Sequence, residues 1–252
     1  MINKKRVNIP LILIILFYAF FSIARGADEK RIFFYYEKRI PLFIQLGWGV
    51  HGLFGDPIKR YFENAEIPIV FDEVPFNRSL KMIKEDDKLA CMVISKGEKI
   101  GGKTVLLSDV FYLEKNIVAV TRYDNVKIER KEKLKDVLQN QQLTFVKKKG
   151  TSSGKKLDNM IFKYKPKEIA LVGGTLRILN FVHKGRADYF FMAEKEAKTL
   201  ISFSGISLKK FKFVHFEEKI PGKSYHIACS KNMPKEYLRK INAAISSDPG
   251  LK

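Results

Sequence analysis

The succession strand–helix–strand–helix–strand occurs twice along this chain, at about 31–94 and again at about 143–192. A helix between two strands carries the chain back across the sheet, so this alternation folds as an α/β structure with mixed, mostly parallel sheets and flanking helices. In the first unit, residues 31–36 and 67–71 are β-branched and aromatic runs that read as strands. Residues 89–94 are apolar throughout, as expected of a strand covered on both faces. Asp56-Pro57 is expected to cap and open a helix bearing Ile58, Tyr61 and Phe62, and Asn77 to cap a second bearing Leu80 and Ile83. In the second unit, strands are expected at 143–146, 169–172 and 189–192. The turn Gly150-Thr151-Ser152-Ser153-Gly154 leads into a helix whose apolar residues Leu157, Met160, Ile161 and Tyr164 recur at helical spacing. Helices are also expected over 133–138, over 176–183 and from Glu194, and a strand at 225–229 precedes a last helix with Leu238, Ile241 and Ile245 on one face. Each unit has the size of a small lobe, so two similar lobes with a cleft between them are expected.

The N-terminal segment bears on location. Lys4, Lys5 and Arg6 precede an apolar run from Ile9 to Ala24, and Ala24-Arg25-Gly26 places small residues before a cut at Ala27. These are the parts of a secretory signal over 1–26, and the run is shorter than the ~20 residues needed to cross a bilayer. Export to the periplasm is therefore expected. The net charge of +20 attracts anions, but the lysines are dispersed and aromatic-interleaved base-reading motifs are absent, so a nucleic-acid partner is not expected. His51, His183, His215 and His226 show no ligand spacing, so neither a metal nor another cofactor is expected. Cys91 and Cys229 could pair in an oxidising compartment, and their spacing leaves the matter open.

Several segments in order resemble the periplasmic solute-binding proteins of the amino-acid type, the type II or family 3 group. Tyr36 followed by Pro41-Leu42-Phe43 is similar to the family's entry from the first strand, and Gly52 to Asp56 resembles its G-x-x-x-D segment. Val74-Pro75-Phe76-Asn77-Arg78 resembles the second-helix start of one branch, and residues 106–112 the passage before the crossover. Gly150-Thr151-Ser152 resembles the second lobe's G-T-S turn, Gly185 to Asp188 its G-x-x-D entry, and residues 225–231 the return strand. The resemblance implies a Venus-flytrap fold with lobe 1 at 27–115 plus 222–252 and lobe 2 at 116–221. It implies a monomer that closes on a small amino-acid-like or anionic ligand and is read by an inner-membrane transporter permease or a sensor. It also implies that the strands holding Cys91 and Cys229 are neighbours, with α-carbons inside the ~7 Å limit for a bridge.

The candidate ligand contacts are Thr151 and Ser152 at a helix start, Lys99 near the family's carboxylate clamp, and Arg78 in a helix's first turn, where a cation needs a reason. The family's acid for the ligand amino group falls on Ala193, with Glu194 beside it as a substitute. Tyr36, Phe43, Trp48 and Tyr112 could line the cleft. One enzymatic alternative exists: Gly150 to Gly154 matches G-x-S-x-G, with Asp188 and then His215 or His226 following in the order of a serine hydrolase. Three lysines before the turn and the lack of a glycine-rich oxyanion segment weigh against it, so no enzymatic activity is expected. A sensory module of the same fold, without transport, is the remaining alternative.

Overall fold

The computed structural model describes residues 31–85, 88–96, 105–115 and 117–251. The expected signal segment and Lys99 lie outside them.

The first half begins with strand β1 (Ile32–Tyr36), a short hairpin of β2 (Ile44–Leu46) and β3 (Gly49–His51), and helix α1 (Gly52–Asn64). Then follow β4 (Ile69–Glu73), α2 (Phe76–Glu85), β5 (Ala90–Ser95) and the long β6 (Val105–Leu113). The second half contains β7 (Ile117–Arg122), β8 (Lys131–Glu132), α3 (Leu134–Gln139), β9 (Thr144–Lys148), α4 (Lys155–Tyr164) and β10 (Lys167–Leu171). It continues with α5 (Thr175–His183), β11 (Tyr189–Ala193), α6 (Glu194–Phe203) and β12 (Phe211–Phe216). The chain then returns as β13 (Ser224–Ser230) and ends with α7 (Lys235–Ser246).

The two sheets share one plan. The first has the order β4-β1-β5-β13-β6 and the second β10-β9-β11-β7-β12-β8. In each, the first three strands of a repeat run parallel, and the strand beside them is antiparallel and comes from the segment that crosses between halves.

Strand alternation explains how each sheet is covered. In β5, Cys91 faces a core with Phe34, Ile58, Phe62, Ile227 and Ile241, under α1 and α7. Ala90, Met92 and Ile94 face the opposite core, with Tyr35, Ile83 and Ala228, under α2. The second sheet is likewise double-sided, with Phe145, Leu157, Ile161 and Tyr189 on one face and Val146, Leu179, Phe190 and Leu200 on the other. Cys91 and Cys229 form a disulfide with α-carbons 4.0 Å apart, within the expected limit.

Two helix starts differ from expectation. Helix α1 begins at Gly52, four residues before Asp56, because its first N–H groups are already satisfied. Asp56 Oδ2 accepts from Gly52 N–H, while the Pro41 and Leu42 carbonyls accept from Leu53 and Phe54. Asn77 lies inside α2 rather than capping it; Glu37 accepts the Phe76 N–H, and the Pro75 carbonyl accepts those of Arg78 and Ser79. Among the described residues no helix is long and apolar enough to cross a membrane.

Candidate functional site

The chain passes between the sheets twice, after Leu113 and again between Phe216 and Ser224. The two passages are fastened together at Glu114 and Lys223. Glu114 N–H donates to the Lys223 carbonyl at 2.9 Å, and Lys223 N–H donates to Glu114 Oε2 at 3.0 Å. Tyr225 Oη donates to Glu114 Oε1 at 2.6 Å, fixing the other carboxylate oxygen. Gly222 is required beside this pair, because a Cβ there would lie 2.2 Å from the Glu114 carbonyl oxygen. Three further contacts cross between the halves near these passages. Lys223 Nζ donates to the Ser152 carbonyl at 3.0 Å, Lys195 Nζ lies 5.9 Å from the Tyr112 ring centre, and Thr175 Oγ1 donates to the Ile40 carbonyl.

The sequence-derived candidates fall into separate environments. Tyr36, Phe43 and Tyr112 are buried in the first half's aromatic cluster. Tyr36 and Phe43 rings pack 5.4 Å apart, and Phe54 contacts both Phe43 and Tyr112. Burial, then the charges of Glu196 and Glu114, push the Tyr112 hydroxyl well above its ordinary value. Trp48 sits at the tip of the β2–β3 hairpin and is fully exposed. Its flanking glycines make a tight hairpin turn, with Gly47 at φ +57°. Arg78 is exposed in the first turn of α2 and has no ion pair among the described residues.

The Thr151–Ser152 turn bonds largely to itself. Thr151 Oγ1 donates to the Lys148 carbonyl at 2.8 Å, and Ser152 Oγ donates to Asp158 while accepting from Gly154 N–H at 3.1 Å. These bonds close the turn onto α4, where Asp158 also accepts from Ser153 N–H at 2.9 Å. Glu194 is held by Lys198 at 2.7 Å and by His215 at 3.0 Å. Burial alone would raise its carboxyl, but hydrogen bonds from Lys198 and His215 prevail and hold it below the ordinary range.

A shallow cavity of about 560 Å³ opens beside the Thr151–Ser152 turn, lined by Lys147, Asp158, Phe162, Lys165 and Glu168 among others. Its charges are largely matched, with Lys147 paired to Glu168 at 2.8 Å. No group of three or more His, Cys, Asp or Glu among the described residues could hold a metal ion.

Sequence reasoning misses Glu114 and Lys223 at the crossovers, Tyr225 of β13 and Glu196 of α6. One of them carried a readable signal. Glu196 falls on the apolar stripe of α6 with Ala197, Leu200 and Ile201, where an acid is out of place.

No family model matches the sequence, and no curated protein matches it. Solved structures do. The second substrate-binding domain of GlnP from Lactococcus lactis, in an open conformation, is 16% identical, with 88% of this chain and 90% of that chain covered at a TM-score of 0.64. An ancestral arginine-binding protein bound to arginine is 17% identical, with 88% and 92% covered at a TM-score of 0.61. A chain from structural work on glutathione import via GshT and the cystine importer TcyBC of Streptococcus mutans is 14% identical, with 87% and 88% covered at a TM-score of 0.64. At such identities the likeness defines the fold. This chain has the two-lobed type II periplasmic-binding-protein fold, each lobe a mixed sheet with flanking helices.

Proposed function

We propose that this protein captures a small polar solute, amino-acid-like or anionic, between its lobes and presents it to an ABC-type transporter permease or to a sensor. Lobe 1 comprises 27–115 and 222–252, and lobe 2 comprises 116–221. The signal-like segment supports the periplasm as its place of work, and a monomer belongs to the same reading. The observation that carries this reading is the pairing of the two crossovers at Glu114 and Lys223, beside the ends of β6 and β13. Two short passages fastened at one point form a hinge, about which each lobe moves as a body. A solute that binds both lobes then stabilises the closed arrangement by its extra contacts there. The solved neighbours include proteins described as substrate-binding or bound to arginine, which supports solute capture.

The Thr151–Ser152 turn before α4 and the cations Arg78, Lys195 and Lys223 would suit an anionic or carboxylate-bearing group. Tyr112, whose ring Lys195 meets from the other half, would supply apolar contact, with Glu194 and Lys99 completing the polar set; Tyr36 and Phe43 are enclosed in the aromatic core, and Trp48 stands on the hairpin tip.

The hydrolase alternative has less support. Ser152 Oγ donates to Asp158 rather than to a histidine. His215 is engaged by Glu194, and His226 by the Ser108 carbonyl at 2.8 Å. A triad requires the base within hydrogen-bond reach of the nucleophile, so this arrangement favours binding over catalysis.

The experiment is a thermal-shift screen against amino acids, organic acids, small peptides and phosphates. At least one is expected to raise the melting temperature, and the rise should grow with its concentration. No shift with any class would remove the solute-capture reading and leave a sensory or structural module.

A further inference from the structure

Glu196 is only 5% exposed, yet its Oε1 has no hydrogen-bond partner among the described residues. A carboxylate in that position is costly unless it gives up its charge or gains a partner. It stands in the first turn of α6, on lobe 2, next to Lys195, whose Nζ lies 5.9 Å from the Tyr112 ring centre on the other half. The charged and titratable groups facing it are Glu114 on the first crossover, Lys223 on the second, Arg39 in the loop after β1, Tyr112 of β6 and Tyr225 of β13. Every one of them belongs to lobe 1 or the hinge. Movement of lobe 2 about the hinge is therefore the motion that changes the surroundings of this carboxyl.

We propose that Glu196 is a proton-operated latch at the hinge: neutral, it stays packed against the crossovers; ionised, it favours the opened arrangement in which water reaches it. The inference rests on the proposed hinge motion and deepens it.

The direction follows from the two environments. Burial first, and Glu114 second, push the packed carboxyl up to about 7, with Arg39 and Lys223 opposing. In water the group returns to its ordinary 4.5, so protonation stabilises the packed form. The ratio of opened to packed molecules then rises by up to about tenfold per pH unit between 4.5 and about 7, and levels off above that.

The test is small-angle X-ray scattering of the ligand-free protein, at pH values from about 5 to about 8 on either side of the transition. The wild type is expected to show a larger radius of gyration at the upper end, while Glu196→Gln keeps the smaller radius throughout. Glu114→Gln removes the nearest like charge and should displace the wild-type transition to lower pH. An unchanging wild-type radius, equal expansion of Glu196→Gln, or an unmoved transition in Glu114→Gln would each overturn the latch. Should circular dichroism show Glu196→Gln unfolded, the wild-type and Glu114→Gln curves decide the matter. The measurement contains no solute, so a failed ligand screen would leave its outcome readable.

Discussion

Cys91 and Cys229 lie directly opposite each other on β5 and β13, with α-carbons 4.0 Å apart and their sulfurs bonded. Their separation of 138 residues encloses every strand of the six-stranded sheet. The bond therefore anchors the returning strand in lobe 1 however lobe 2 moves. Replacing both cysteines by alanine should lower stability by about 2–5 kcal/mol, chiefly by freeing that long loop in the unfolded chain. Urea denaturation of the double variant against wild type checks this, and an unchanged midpoint would show that the bridge contributes little.

Gly222 lies against the backbone of Glu114, where even one methyl group collides with carbonyl oxygen. Gly222→Ala should therefore separate the crossovers and destabilise the fold, by about 1–3 kcal/mol as for other overpacked sites. Thermal denaturation measures the loss, and scattering of the folded fraction should show altered lobe spacing.

How much of this was legible in the sequence depends on how far apart the cooperating groups lie. Residues 89–94 and 189–192 are unbroken apolar runs, so β5 and β11 announce themselves. Strand β12 also carries a pattern, since Phe211-Lys212-Phe213 alternates, but no strand is expected there. The true start of α1 was hidden, because the carbonyls of Pro41 and Leu42 that receive its first N–H groups come from the preceding loop. Glu114 and Lys223 are 109 residues apart in sequence, so no local pattern marks their pairing. Trp48 shows the opposite effect. Its glycines attract attention as a possible contact, and in the fold they shape a hairpin turn that leaves the indole in solvent.

A part-buried link ties α1 to the C-terminal turn. Tyr61 Oη donates to Asp248 Oδ2 at 2.6 Å, and Gly250 N–H donates to Asp248 Oδ1 at 2.8 Å. Partial burial would raise the Asp248 carboxyl, but the Tyr61 and Gly250 hydrogen bonds and Arg60 prevail and hold it below its ordinary value. A group with a depressed native pKa stabilises above its unfolded pKa and loses that contribution as pH falls through the native one. Tyr61→Phe should cost about 1–2 kcal/mol at neutral pH, with the difference from wild type shrinking below the ordinary carboxylate range. Denaturant curves at neutral and strongly acidic pH test this, and a pH-independent difference would contradict it.

Ser152 holds the start of α4 through Gly154 N–H and Asp158. Ser152→Ala should cost about 0.5–1.5 kcal/mol of stability, as expected for lost side-chain hydrogen bonds in the turn before the helix. With p-nitrophenyl esters, wild type and variant should show the same background rate. Ester turnover in wild type that disappears in the variant would establish catalysis instead.

A solute bound by both lobes is expected to draw them together about the Glu114–Lys223 pairing. Small-angle scattering with and without a solute from the thermal-shift screen tests it most directly, at one fixed pH so that Glu196 does not change its state. The saturated protein is expected to show a smaller radius of gyration. An unchanged radius, with binding verified by calorimetry in the same sample, would place the solute elsewhere and contradict closure.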